Sequence, residues 1–155
     1  MHFYKIIIVI LILGSSFASY SQIRWTSINA IADSLEKKQK PVIVKIETAW
    51  CGYCKMMDTK VYSNKKIIKK LKDQYYFVRL NAESHDSIVF NGETYKYLMF
   101  SGRSGVHQLA KKLGEENGKM SYPTTVVLNP DYSIKKRIVG YMDKNNFLYW
   151  LESNE

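Results

Sequence analysis

The chain has 155 residues, 46% of them hydrophobic, with 23 Lys+Arg against 14 Asp+Glu for a formal charge of +9. A chain of that length buries roughly two-thirds of its unfolded surface in one core, which predicts a single domain that needs neither metal nor disulfide staples to fold. Eight Gly, three Pro and no self-similar period exclude collagen-like, disordered and repeat architectures, and leave two cysteines to be explained.

His2 and Lys5 precede the apolar run Ile6 to Leu13, which gives way to Gly14, Ser15, Ser16, Ala18, Ser19 and Ser21. That is the layout of a secretory signal peptide over 1–21, with cleavage after Ala18 or Ser21. The run falls short of the roughly 20 apolar residues that cross a bilayer, so no stable membrane insertion is expected after cleavage. Retention as an anchor extended through Phe17 and Ala18 is the alternative. Removal of Lys5 leaves 22 − 14 = +8 on a periplasmic or secreted domain spanning 22–155.

Thr26 or Ser27 can cap a helix whose apolar positions Ile28, Ile31, Ala32 and Leu35 recur at helical spacing and which stops before Pro41. The β-branched stretch Val42 to Ile46 predicts a strand, ending at Trp50-Cys51-Gly52-Tyr53-Cys54-Lys55, where helix formers take over. Ser63 or Asn64 starts a second helical piece with Ile67, Ile68 and Leu71 on one face, and the strand Tyr76 to Leu80 follows. Ile88 to Phe90, Asn91-Gly92 and Glu93 to Tyr95 read as a hairpin, because Asn-Gly accepts the positive φ of a two-residue turn. Ser101 to Gly105 reads as a turn before a short helix through Val106, Leu109, Ala110 and Leu113, ended by Gly114. It lacks the Gly-Lys-Ser/Thr ending of a phosphate loop. Thr124 to Leu128 and Ile134 to Val139 flank the turn Asn129-Pro130-Asp131 as an antiparallel pair, and Asp143 caps a last helix with Phe147, Leu148 and Leu151. Strands alternating with helices and closing on a hairpin predict an α/β sandwich.

Cys51 and Cys54 are three apart. A bridge between them closes a loop worth only about 2 kcal/mol on chain-entropy grounds, against about 3 for a fifteen-residue loop, so as a staple it is poor. A zinc site would need two further ligands, and His85 and His107 lack the usual close spacing. Position says more. A cysteine at the first turn of a helix that leaves a strand sits among unpaired N–H groups at the positive end of the helix dipole, which favours thiolate over thiol. Cys54, one turn on, faces the same way and can resolve a mixed disulfide. The pair therefore reads as a redox-active dithiol.

Trp50-Cys51-Gly52-Tyr53-Cys54-Lys55 resembles the active-site motif of the thioredoxin family, and Tyr122-Pro123-Thr124 resembles its cis-proline segment. Most of Ile23 to Leu151 fits the family order, with Gly140-Tyr141-Met142-Asp143 similar to its final strand-to-helix junction. The resemblance implies a three-layer α/β/α thioredoxin fold with a central mixed sheet, in which 85–105 is an inserted hairpin region suited to partner specificity. It implies Cys51 as nucleophile and Cys54 as resolving thiol. Trp50, Gly52, Tyr53, Tyr122 and Pro123 would form the substrate surface, with the Tyr122 backbone pairing to an extended peptide. No metal or organic cofactor is implied, only protein or peptide disulfide substrates and a redox partner that resets the dithiol.

Two positions depart from that pattern. The family's buried carboxylate, six residues before the first cysteine, is replaced by Lys45. Strand alternation puts Lys45 and Glu47 on one face, so Glu47 can serve as proton acceptor with Lys45 as its partner or as a thiolate stabiliser; an ordinary ion pair is the alternative. Arg79, near a family lysine, reads equally well as a solvated cation. Tyr53 stands where reductive thioredoxins carry proline, and Gly52-Tyr53 resembles the pair in bacterial disulfide isomerases. Potentials across such proteins run from about −270 to about −120 mV, and reduction is the favoured direction, with isomerisation next. No separate dimerisation domain of the kind those isomerases carry is seen, which ranks isomerase identity below general exchange activity; a monomer is expected. From another class comes a binding module that uses the scaffold without turnover. Lys65 to Lys72 reads as the solvated face of an amphipathic helix, and with export and no aromatic stacking platform the basic charge does not point to nucleic acid.

Overall fold

In the computed structural model, which describes residues 22–100, 102 and 104–153, the chain begins with β1 (Trp25–Thr26) and a 3₁₀ turn (Ile28–Ala30) running into α1 (Ile31–Lys37). β2 (Val42–Glu47) leads to α2 (Gly52–Met57), a π-helical turn (Asp58–Tyr62), α3 (Lys65–Leu71) and β3 (Tyr76–Asn81). Four short strands follow: β4 (Ile88–Phe90), β5 (Glu93–Tyr95), β6 (Tyr97–Met99) and β7 (Gly105–His107). Then come α4 (Gln108–Gly114), β8 (Thr124–Leu128), β9 (Ile134–Val139) and α5 (Lys144–Glu152). The expected signal peptide and two residues of the 101–105 turn, Ser101 and Arg103, lie outside the described residues.

β2 is buried over all but its last residue, as its Val and Ile content favours, and forms the middle of a five-stranded sheet of order β1-β3-β2-β8-β9. Its pairing with β3 is parallel and that with β8 antiparallel, so the sheet is mixed. Alternation along β2 then builds two layers. Val42, Val44 and Ile46 join Ile31 and Leu35 of α1, and Leu109 and Leu113 of α4. Ile43 joins Met57, Val61, Ile67 and Leu71, together with Phe147 and Leu151 of α5, on the other side. Each such Ile or Leu contributes about 1.5–3 kcal/mol by leaving water. The architecture is the expected α/β/α thioredoxin fold. Asn64 and Asp143 cap α3 and α5 through their side-chain oxygens, which accept N–H groups of the first turn.

Three readings of the sequence are corrected. Thr26 belongs to β1 and Ser27 makes no side-chain cap bond. The two-residue strand exists because Trp25 stacks edge-on against Tyr62 and Phe77 at 5.2 and 6.0 Å, which ties it to β3. Val106 is a strand residue, and α4 starts at Gln108 behind His107, whose Nδ1 accepts the Leu109 N–H at 3.2 Å. The inserted region also holds two hairpins instead of one. Asn91 and Gly92 form the predicted turn with φ of 50° and 75°, and a second pair, β6 with β7, sets Met99 opposite Gly105. Gly105 is required there, since a Cβ would run into the Leu98 carbonyl.

Candidate active site

β2 delivers the chain to the site. After Glu47 the backbone turns, Cys51 N–H closing on Thr48 C=O at 3.2 Å, and Cys51 becomes the extended N-cap of α2. Its Sγ accepts the Cys54 N–H at 3.1 Å, one of the donors that a helix start leaves without an intrahelical partner. A thiolate at Cys51 would meet the same N–H and the positive end of the helix. The two cysteines are joined in a disulfide with their Cα atoms 5.3 Å apart, at 4% and 1% exposure. The sequence placed the pair correctly at the strand-to-helix junction.

The rim is aromatic and open. Trp50 is 67% exposed, its ring edge-on to Tyr122 at 5.9 Å and its Nε1–H donating to Glu83 Oε1 at 2.9 Å. Tyr53 is 62% exposed and lies 6.3 Å from the ring of Tyr141. Gly52 has free space where a Cβ would stand, so no neighbouring atom crowds that position. The Tyr122–Pro123 bond is cis, as the resemblance implied, and Pro123 C=O accepts the Gly140 N–H at 2.7 Å. Burial pushes the Tyr122 phenol above its ordinary pKa, with the nearby charges of Glu83 and Tyr97 acting the same way. Tyr97 also stacks on His85 at 4.0 Å. The start of the second hairpin thus adjoins the rim.

Beneath the disulfide lies a charge network. Lys45 has no exposed surface; its ammonium donates to the Glu47 carboxylate, to Asp58 Oδ1 at 2.8 Å and to Cys54 C=O at 3.1 Å. Arg79, opposite Lys45 in the parallel register, reaches Glu47 at 3.3 Å and grips both oxygens of Asp58 at 3.0 and 3.1 Å, with its guanidinium over Trp25 at 4.2 Å. Arg79, read equally as the counterpart of a family lysine or as a solvated cation, is exposed and at the same time paired with both carboxylates, and the Lys45–Glu47 pair on one face is as expected. Tyr62 closes the inner side, 5.8 Å from the Lys45 ammonium, with its hydroxyl 3.4 Å from Thr125 Oγ1; burial pushes this phenol far above its ordinary range. Asp58 and Glu83 were missed by the sequence reading. Asp58 lies one helical turn past Cys54, and the need of a buried amine for a second acceptor was the signal that pointed to it. A groove of about 750 Å³, lined by Trp25, Tyr62, Lys69 and Arg79, lies behind the network and not at the sulfurs.

The family model of a thioredoxin-like domain matches residues 28–154. The chain belongs to the thioredoxin-like family. No curated protein matches it. Among solved structures it is similar to a thioredoxin from Thermus thermophilus, at 20% identity and a TM-score of 0.59 over 84% of this chain and 85% of that one. It is similar to a DsbH oxidoreductase at 12% identity, TM-score 0.56, covering 86% and 85% of the two chains. It is also similar to the oxidised C-terminal domain of Neisseria meningitidis DsbD, at 18% identity, TM-score 0.53, covering 81% and 90%. These likenesses establish the fold. In a thioredoxin-like domain, a Cys-x-x-Cys pair at the helix start supports thiol–disulfide oxidoreductase chemistry.

Proposed function

We propose that this thioredoxin-like protein is an exported enzyme that reduces or exchanges protein disulfides. The carrying observation is the Cys51 sulfur, which sits at a helix N-cap, accepts a backbone N–H and lies beneath an exposed aromatic rim. In the reduced enzyme the Cys51 thiolate attacks a substrate disulfide; one substrate sulfur leaves and takes a proton, and a mixed disulfide forms. Cys54 gives its proton to Glu47 and attacks Cys51 Sγ, which expels the second substrate thiolate and leaves the enzyme in its disulfide form. A redox partner then supplies two electrons and two protons. Trp50, Gly52 and Tyr53 offer the contact surface, and the backbone of Tyr122 before Pro123 offers an edge for an extended peptide. The apolar run at Ile6 to Leu13 supports export, and no helix among the described residues is long and apolar enough to cross a membrane.

Insulin reduction with dithiothreitol as electron source tests this. Cys51→Ser abolishes turnover, and Glu47→Gln slows the second step about tenfold at pH 7, leaving the first attack unchanged. Insulin reduction by the wild type no faster than dithiothreitol alone overturns the reading in favour of a binding module, and full turnover by Cys51→Ser removes Cys51 as the nucleophile.

A further inference from the structure

Tyr53 and Met56 stand three apart on α2 and so share a helix face, where they are 62% and 42% exposed. Tyr141, between β9 and α5, lies beside Tyr53. Met56 and Tyr141 also line a groove of about 720 Å³, whose other walls come from the π-helical turn and the starts of α3 and α5. The apolar strip of the rim therefore continues into this groove. Beyond the strip the groove is basic. Lys60, Lys66 and Lys144 line it, are exposed, and make no ion pair among the described residues. The carboxylate of the lining, Asp143, is turned to its own helix: Oδ1 accepts the Asn145 and Asn146 N–H groups at 2.8 and 3.0 Å, and Oδ2 accepts the Asn146 side-chain amide at 2.8 Å. Lys144 is the first residue of α5, where the helix dipole favours an acid and the first turn holds none. The chain thus leaves this positive charge uncompensated beside the reactive rim.

We propose that this groove is a specificity subsite that takes an acidic segment of a protein substrate, lying close in sequence to the substrate cysteine. Lys60 follows Cys51 by nine residues, roughly 13 Å at the rise of a helix. An extended peptide covers that distance in about four residues, which sets the spacing of the acids from the cysteine. An apolar side chain of the substrate packs on Met56 and Tyr141, and the carboxylates beyond it meet Lys60, Lys66 and Lys144. Complementary charge of this kind selects partners and speeds their encounter. The inference rests on the exchange activity proposed above and adds the class of substrate to it. The sulfur chemistry stays with the cysteines, so the groove acts through KM.

The test compares peptide disulfides that are identical except at the third to fifth residues on each side of the cysteine, which are all Glu, all Gln or all Lys. Their kcat/KM is measured above the uncatalysed rate with dithiothreitol as electron source. Exposed ion pairs are individually weak, so three together should favour the Glu peptide over the Gln peptide about fivefold at low salt, through KM. Screening should reduce that preference to about twofold or less in about 0.3 M salt. Lys60→Glu, Lys66→Glu and Lys144→Glu combined should make the Lys peptide the better substrate, and the same three lysines changed to Gln should bring the preference below about twofold. Lys37, Lys38 and Lys135 are exposed and lie at the end of the sheet where Val42 meets Leu128, opposite the cysteines. Their combined change to Glu alters the net charge equally and should keep at least about threefold preference. Equal loss in this distant variant assigns the effect to net charge and overturns the inference. A Glu peptide no better than the Gln peptide in the wild type also overturns it, and turnover of the Gln peptide then leaves the exchange activity standing. No turnover of any peptide above the uncatalysed rate overturns both.

Discussion

β2 turns Val42, Val44 and Ile46 to one layer and Ile43 and Lys45 to the other, so a single strand separates two different kinds of interior. The α1/α4 layer is aliphatic packing, in which attraction is non-directional and a lost methyl group is felt as lost stability. The α2/α3/α5 layer has an apolar base of Ile43, Met57 and Phe147, but at its upper end it holds Lys45, Glu47, Asp58 and Arg79 in bonds of fixed direction against Cys54. A buried charge there is tolerable only when its partners stay in place, so rigidity is imposed where the sulfur chemistry needs it. The comparison teaches a division of labour. One side of the sheet supplies stability, and the other converts part of its interior into an electrostatic support for the cysteines.

This division can be broken by a cavity on the quiet side. Ile46→Ala removes a fully buried side chain from the aliphatic layer and is expected to lower unfolding stability by about 3 kcal/mol in urea titration. Insulin turnover per folded molecule should stay at the wild-type rate well below the melting temperature. A turnover loss in the folded variant would mean that the layers are not separable.

A smaller effect sharpens the same point. His107 is the imidazole buried beside the aliphatic layer, Nε2 3.1 Å from Asp86 C=O and Nδ1 accepting from Leu109 N–H, which fixes a neutral ring. Burial holds its pKa below the ordinary value, more strongly than the surrounding carbonyls raise it. The unfolded chain therefore binds the proton first. The contribution is complete above about pH 6.5 and is lost as pH falls from there towards the lower folded value. The melting temperature should drop by about 2–4 °C between pH 7.5 and 5, and His107→Gln should lack that component. An equal drop in the variant would assign the effect to other groups.

Much of this was legible in the chain. The helix start at Cys51, the Asn91-Gly92 turn, the caps at Asn64 and Asp143 and the shared face of Lys45 and Glu47 all follow from local chemistry that needs no distant partner. What escaped depends on distant partners. β6 is three residues, Tyr-Leu-Met, whose strand character comes from pairing with Gly105–His107, and β1 is two residues held by Trp25 against Phe77. The pairing of exposed Arg79 escaped because its register opposite Lys45 is a property of the sheet, and Asp58 was hidden because its role starts from an amine thirteen residues earlier. Tyr122-Pro123 was found by resemblance supported by the general rule on X-Pro bonds.

The most direct test of the central claim, that Cys51 attacks and Cys54 resolves, is intact-mass analysis of single-cysteine variants after incubation with a peptide disulfide. Cys54→Ser should accumulate one mixed-disulfide adduct on Cys51 within minutes at pH 7, and Cys51→Ser should form none on that timescale. Equal adduct formation by Cys51→Ser, or no adduct on Cys54→Ser, would contradict the account.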